Sequence, residues 1–106
     1  MYKFPIYWTE KLKIDFLQRI ILIHSYLYYE LDASVWSDKK YDEVAKQLTN
    51  IQNKYKQTEG VDALKSKTQY GYAMHDFDGT TGFDLWSRLN KQDKRFISNI
   101  AGRIRR

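Results

Sequence analysis

The sequence predicts a mainly α single domain over residues 1–106: an antiparallel helical hairpin, an irregular middle segment, and a C-terminal helix packed on the hairpin. Three observations predict it. Apolar residues recur at three- and four-residue steps through two long stretches, about 9–31 and 37–56. The connection between them, Asp32-Ala33-Ser34-Val35-Trp36, is too short for anything but an antiparallel return. A third apolar stripe recurs near the C-terminus, over about 93–104.

The first helix begins at Thr9, whose hydroxyl can accept a bond from a free N–H of the first turn. Leu12, Phe16, Leu17, Ile20, Ile23, Leu27 and Leu31 then mark its apolar face. Tyr26, Tyr28 and Tyr29 fall in its last two turns, and adjacent helical positions point in different directions, so some of these rings line a groove or an interface. Ser37 caps the second helix and Asp38 places an acid in its first turn. Tyr41, Val44, Ala45, Leu48, Ile51 and Tyr55 form its apolar face.

The hairpin unit thus covers 1–57, and residues 58–106 supply loop and C-terminal helices. Glu59-Gly60 breaks the second helix; Val61 to Leu64 can form one turn, and Gln69 to Met74 shows no clear period. Phe83 to Leu89 is expected to make two helical turns. Asp93 then caps the last helix, whose Phe96, Ile100 and Ile104 stripe, with Ile97 and Ala101 beside it, is expected to pack on the hairpin. No internal repeat is visible.

Composition bounds the function. The 106 residues include no cysteine, which removes disulfides, thiolate metal sites and cysteine nucleophiles together. The longest apolar run, Ile20 to Ile23, is far short of the roughly 20 residues that span a bilayer, and the N-terminus has neither the apolar centre nor the cleavage site of a secretory signal. The expectation is a soluble, cytoplasmic protein with no membrane partner. Residues 1–50 carry seven bases against seven acids, so the net charge of +5 lies entirely in the second half. Lys94, Arg95, Arg103, Arg105 and Arg106 end the chain without an intervening acid. Such an end can approach phosphates or an acidic protein, or simply complement the last carbonyls of a helix. Five charges predict weak, non-specific nucleic-acid binding; no helix is seen to present Arg, Asn or Gln in a base-reading pattern beside a turn.

The most informative run is His24-Ser25-Tyr26-Leu27-Tyr28-Tyr29-Glu30-Leu31-Asp32, followed by Ser37-Asp38-Lys39-Lys40-Tyr41-Asp42. A hairpin brings Tyr28, Tyr29, Asp38, Tyr41 and Asp42 to one corner. Phenol faces there can sandwich a planar ring, and carboxylates can accept bonds from hydroxyls or an amide. The alternative is structural: the tyrosines pack the corner and the acids cap the second helix.

The run Y-x-Y-Y-x-L-D followed by S-D-x-x-Y-D resembles the N-terminal helical subdomain of bacterial NAD-dependent DNA ligases, over roughly residues 12–52. The resemblance implies that Tyr28, Tyr29, Asp38, Tyr41 and Asp42 hold the nicotinamide, ribose and phosphate of NMN, free or as half of NAD, with no metal. The sequence departs from the ligases at Ser34, where they have proline, and at Trp36, where they have an aliphatic residue. It also contains no K-x-D-G motif, the site of the ligase lysine nucleophile, so the chain is not expected to seal DNA or to be an enzyme. It looks like the stand-alone ligase-related proteins encoded by phages and prophages. That resemblance implies an accessory role toward a phage or host protein of DNA metabolism or defence; an alternative is an anti-defence inhibitor or adaptor that uses the hairpin only as scaffold.

Two further patterns remain. His75-Asp76-Phe77-Asp78-Gly79-Thr80 reads D-x-D-G-T, the nucleophile loop of haloacid-dehalogenase-type phosphatases, but the 26 residues that follow cannot supply the parallel sheet, lysine and acidic pair that chemistry requires. A turn is the better reading. With Tyr70, Asp76, Phe77, Asp78, Phe83 and Trp86 around it, the segment is an expected protein-docking surface. His24 and His75 lack metal-ligand spacing, and Gly71, Gly79 and Gly82 lack the spacing of a phosphate loop. Sequence alone leaves the oligomeric state open.

Overall fold

The computed structural model describes residues 1–79 and 84–105, with only the backbone of Arg105. Its main elements are α-helices: α1 (Glu10–Ser25), α2 (Asp38–Glu59), α3 (Val61–Lys67), α4 (Gly71–Met74) and α5 (Lys91–Arg105). Among the described residues there is no β-strand.

Local chemistry sets the hairpin. Thr9 Oγ1 accepts from Leu12 N–H at 3.2 Å and starts α1, and Ser37 Oγ accepts from Lys40 N–H at 3.1 Å and starts α2. The first helix does not run as a single α-helix to residue 31. From Tyr26 to Glu30 it widens into a π-helical turn, closed by Leu31 N–H bonding to Tyr26 C=O at 3.2 Å. Asp32 then adopts φ 48°, and Ala33 N–H reaches back to Leu27 C=O at 2.9 Å. A residue in this left-handed conformation terminates helices, and aspartate is among the few non-glycine residues that take it readily. Gly60 ends α2 differently, at φ 93° and ψ 158°, an extended positive-φ conformation that glycine adopts readily.

α1 and α2 run antiparallel, since Ser25 at the end of α1 meets Tyr41 at the start of α2, while Gln18 meets Gln52 further along. Their facing residues Ile14, Leu17, Ile21, Val44, Ala45 and Leu48 are buried. At the other end, Phe4 and Trp8 stack 5.4 Å apart over Phe16, and Tyr2 is clasped by Gln47 through both its backbone N–H and C=O.

The middle segment is more ordered than its sequence suggests. Gln18, fully buried, donates from Nε2 to Gln52 Oε1 at 2.8 Å and to Thr68 Oγ1 at 3.2 Å, and its Oε1 accepts from Tyr70 N–H at 3.0 Å. Gln52 in turn donates to Met74 C=O at 3.1 Å. Two glutamines thereby join α1, α2, α3 and α4 with their polar atoms satisfied, the condition for keeping amides in a core.

α5 packs on α1 and the π-helical turn. The buried face is Ile97 and Ala101; Phe96 and Ile104 stay 43% and 40% exposed, and Ile100 lies at the edge. The expected Phe96, Ile100, Ile104 stripe is therefore out of register with the true core face. The small Ala101 side chain lets the helix approach α1, while the Phe96 ring sits beside the Arg19 guanidinium at 5.7 Å. The cap also differs: Asn90 Oδ1 accepts from Asp93 N–H at 2.8 Å, so Asn90 is the N-cap, and the Asp93 carboxylate accepts instead from the Tyr72 hydroxyl. The two helical turns expected over 83–89 reduce, among the described residues, to a 3-10 turn at Trp86–Arg88.

Candidate functional site

The end of α1, the π-helical turn and the first turn of α2 enclose a cavity of about 250 Å³. Tyr28, Tyr29, Asp38, Tyr41 and Asp42 all line it, so the structure brings together the full set of residues expected at this corner. His24, Trp36, Ser34 and Ser37 complete the wall.

The π-helical turn makes this convergence possible. Tyr28 and Tyr29 are 45% and 38% exposed, and their rings meet edge to face at 4.7 Å and 72°. Tyr41 enters from the facing helix, held by a 2.7 Å bond between its hydroxyl and Ser25 Oγ. Burial pushes its phenol up to about 12, against the smaller opposing effect of the Ser25 bond, so it stays protonated. Asp38 and Asp42 are exposed at the rim, where they add negative charge without being buried.

The opposite wall is built from residues that sequence reasoning did not select. His24 lies flat on Trp36, with ring centroids 3.5 Å apart and planes 9° from parallel. The histidine is buried and its Nδ1 has no hydrogen-bond partner among the described residues. Desolvation, reinforced by the nearby Lys40 ammonium, lowers its pKa to about 4, so the imidazole is neutral near pH 7. Lys40 Nζ also lies 5.5 Å from the centre of the Trp36 ring. The available signal was spacing: His24 stands four residues before Tyr28 on the same helical face.

The loop expected to dock a protein is differently disposed. Tyr70 and Phe77 are core residues, 0% and 7% exposed, and cannot contribute to a surface without unfolding it. Trp86 is half-buried against Tyr26, 4.2 Å between centroids. Asp76 is bonded to Arg88 at 2.6 Å. Asp78 is exposed, and Phe83 falls outside the described residues. Of the expected basic positions, Arg95 and Arg103 are exposed and Lys94 is half-buried with Nζ 5.9 Å from the Trp86 ring. Arg106 and the Arg105 side chain fall outside the described residues. Among the described residues, no group of three His, Cys, Asp or Glu is placed to hold a metal ion, and no helix is long and apolar enough to cross a membrane.

The cavity combines flat aromatic walls, a neutral imidazole and carboxylates at the mouth, groups that can stack a planar ring and accept bonds from hydroxyls. No curated protein and no solved structure matches the chain. A family model does, over residues 9–69, and it describes a DNA ligase-like, N-terminal NAD+-binding domain. The matched span contains α1, the π-helical turn, α2, α3 and every residue of the cavity, and it exceeds half of the sequence. On that ground the chain belongs to the family of DNA ligase-like, N-terminal NAD+-binding domains.

Proposed function

We propose that the protein binds a nicotinamide mononucleotide unit, free or as half of NAD, without transforming it, and acts as an accessory protein in nucleotide or DNA metabolism. One observation carries the reading: Tyr28, Tyr29, Asp38, Tyr41 and Asp42, separated by up to 14 positions in sequence, converge on a single cavity. Its volume of about 250 Å³ lies just below the roughly 300–1,000 Å³ of drug-sized ligand pockets, which fits a mononucleotide better than a whole dinucleotide. The oxidised nicotinamide ring is a cation. Tyrosine faces attract such a ring through their quadrupoles, and Asp38 and Asp42 add opposite charge and acceptors for ribose hydroxyls. Lys40, whose Nζ lies 5.5 Å from the Trp36 ring of the cavity wall, supplies positive charge for a phosphate.

Calorimetric titration with NMN tests this. One-to-one saturable binding is expected, abolished by Tyr41→Ala and by Asp42→Ala with the helical circular dichroism nearly unchanged. Because Tyr41 is partly buried, Asp42→Asn at the exposed rim provides a variant that keeps the fold. Binding that survives these substitutions, or no binding of the wild type at millimolar NMN, overturns the reading.

A further inference from the structure

α5 lies outside the family match, and one of its faces is explained by neither the core nor the cavity. Ile97 and Ala101 point inward. On the opposite side Gln92, Arg95, Phe96, Asn99 and Arg103 are all exposed, and helical spacing puts them in one stripe. The only acid of this helix, Asp93, is half-buried, accepts the Tyr72 hydroxyl bond, and by helical spacing falls outside the stripe. Lys91 adds a further exposed cation at the start of the helix.

We infer that this outward face of α5 is a docking surface for duplex DNA, seated in the major groove. Charge complementarity selects a polyanion. The neutral members of the stripe then favour DNA among polyanions, because they offer hydrogen-bonding amides and an apolar ring that match base edges. Arg pairs with the O6 and N7 edge of guanine, Asn and Gln with the N6 and N7 edge of adenine, and an exposed phenyl ring contacts the thymine methyl. Each of the five side chains belongs to that set. The dimensions agree: residues 92 to 103 cover about 16 Å of helix, or roughly five base pairs, at about 1.5 Å per residue and about 3.4 Å per pair. A single α-helix fits the major groove of B-form DNA, whereas that of an A-form duplex is too narrow and deep for side chains to read.

The test is fluorescence anisotropy with a labelled mixed-sequence DNA duplex of about 24 base pairs, using the full chain. Binding is expected to weaken roughly fortyfold between about 50 and about 200 mM salt if Lys91, Arg95 and Arg103 neutralise about three phosphates. Arg95→Ala combined with Arg103→Ala should weaken it at least tenfold; both side chains are exposed, and circular dichroism checks that the helices persist. Asp42→Asn should leave DNA affinity unchanged, which separates this surface from the nucleotide cavity. An RNA duplex of the same sequence should bind at least tenfold more weakly. The inference is overturned by absent DNA binding, by an unaffected double variant, by equal affinity for the RNA duplex, or by polyglutamate competing as well as unlabelled DNA.

Discussion

The imidazole of His24 and the indole of Trp36 lie face to face, 3.5 Å apart and 9° from parallel, one contributed by α1 and the other by the loop that returns to α2. The contact fixes the loop over the end of α1, and burial beside Lys40 favours the uncharged imidazole, whose Nδ1 finds no partner among the described residues. The folded protein holds the His24 pKa at about 4, below its ordinary value of 6.5. The unfolded chain therefore takes up a proton first as pH falls. Stability is complete above about pH 6.5 and declines toward pH 4, with about 2 kcal/mol lost between pH 7 and pH 5. His75, also lowered by burial, acts in the same direction. Urea unfolding at several pH values should show this decline, and His24→Phe, which keeps a ring on Trp36, should remove most of it.

Because Trp36 forms one wall of the cavity, its emission should report nucleotide binding. Of the three tryptophans, Trp8 and Trp86 are not among the cavity residues. Titration with NMN is expected to quench wild-type fluorescence saturably and to leave that of Trp36→Phe nearly unchanged while calorimetry still detects binding. Equal quenching in both proteins would place the ligand elsewhere.

Gln18 is the polar centre of the core. Gln18→Leu leaves the Tyr70 N–H and the Gln52 carbonyl oxygen without their bonds, and the expected cost is about 2–4 kcal/mol. Gln52→Leu should cost about 2–3 kcal/mol through Met74 and Gln18. Since the two amides bond each other, the double variant should lose less than the sum of the single losses, a coupling that denaturant unfolding of the four proteins measures directly.

Two glycines should respond oppositely to alanine. A Cβ on buried Gly71 would overlap the Leu64 carbonyl oxygen and Thr68 Oγ1, so Gly71→Ala should cost more than about 3 kcal/mol or prevent folding. Gly102, inside α5, faces open space. Gly102→Ala should stabilise by about 0.5–1 kcal/mol through helix propensity alone, read as a raised unfolding midpoint.

The hairpin was legible because its signals are local: Thr9 and Ser37 cap through bonds to residues three positions on, and each helix carries an apolar face. Tyr28, Tyr29, Asp38, Tyr41 and Asp42 were legible at the corner because a short loop must bring the end of one helix beside the start of the next, whereas the π-helical turn that aims the two tyrosines was not. α5 was misread in register because Phe96 and Ile97, and Ile100 and Ala101, are adjacent apolar pairs; only packing against α1 decides which of each pair turns inward. The middle segment escaped because its order comes from a distance. Gln69 N–H bonds to Asp15 Oδ1 at 2.8 Å and Tyr70 N–H to Gln18, partners more than 50 positions away. His24 and Trp36 were invisible as a pair because neither residue alone suggests a stack.

A π-helical turn inserts one residue into a helical ladder, so every side chain beyond it is carried about 100° around the axis relative to an uninterrupted α-helix. In this protein the turn spans Tyr26–Glu30 and carries both cavity tyrosines. The direction in which Tyr28 and Tyr29 point is thus encoded by chain length as well as by residue type. Substitution at these positions changes what the cavity touches, but loss of a single residue from the turn would swing the aromatic pair off the cavity while leaving every side chain of the site in the sequence. Relatives that differ here by one residue in length would share the motif and not the pocket.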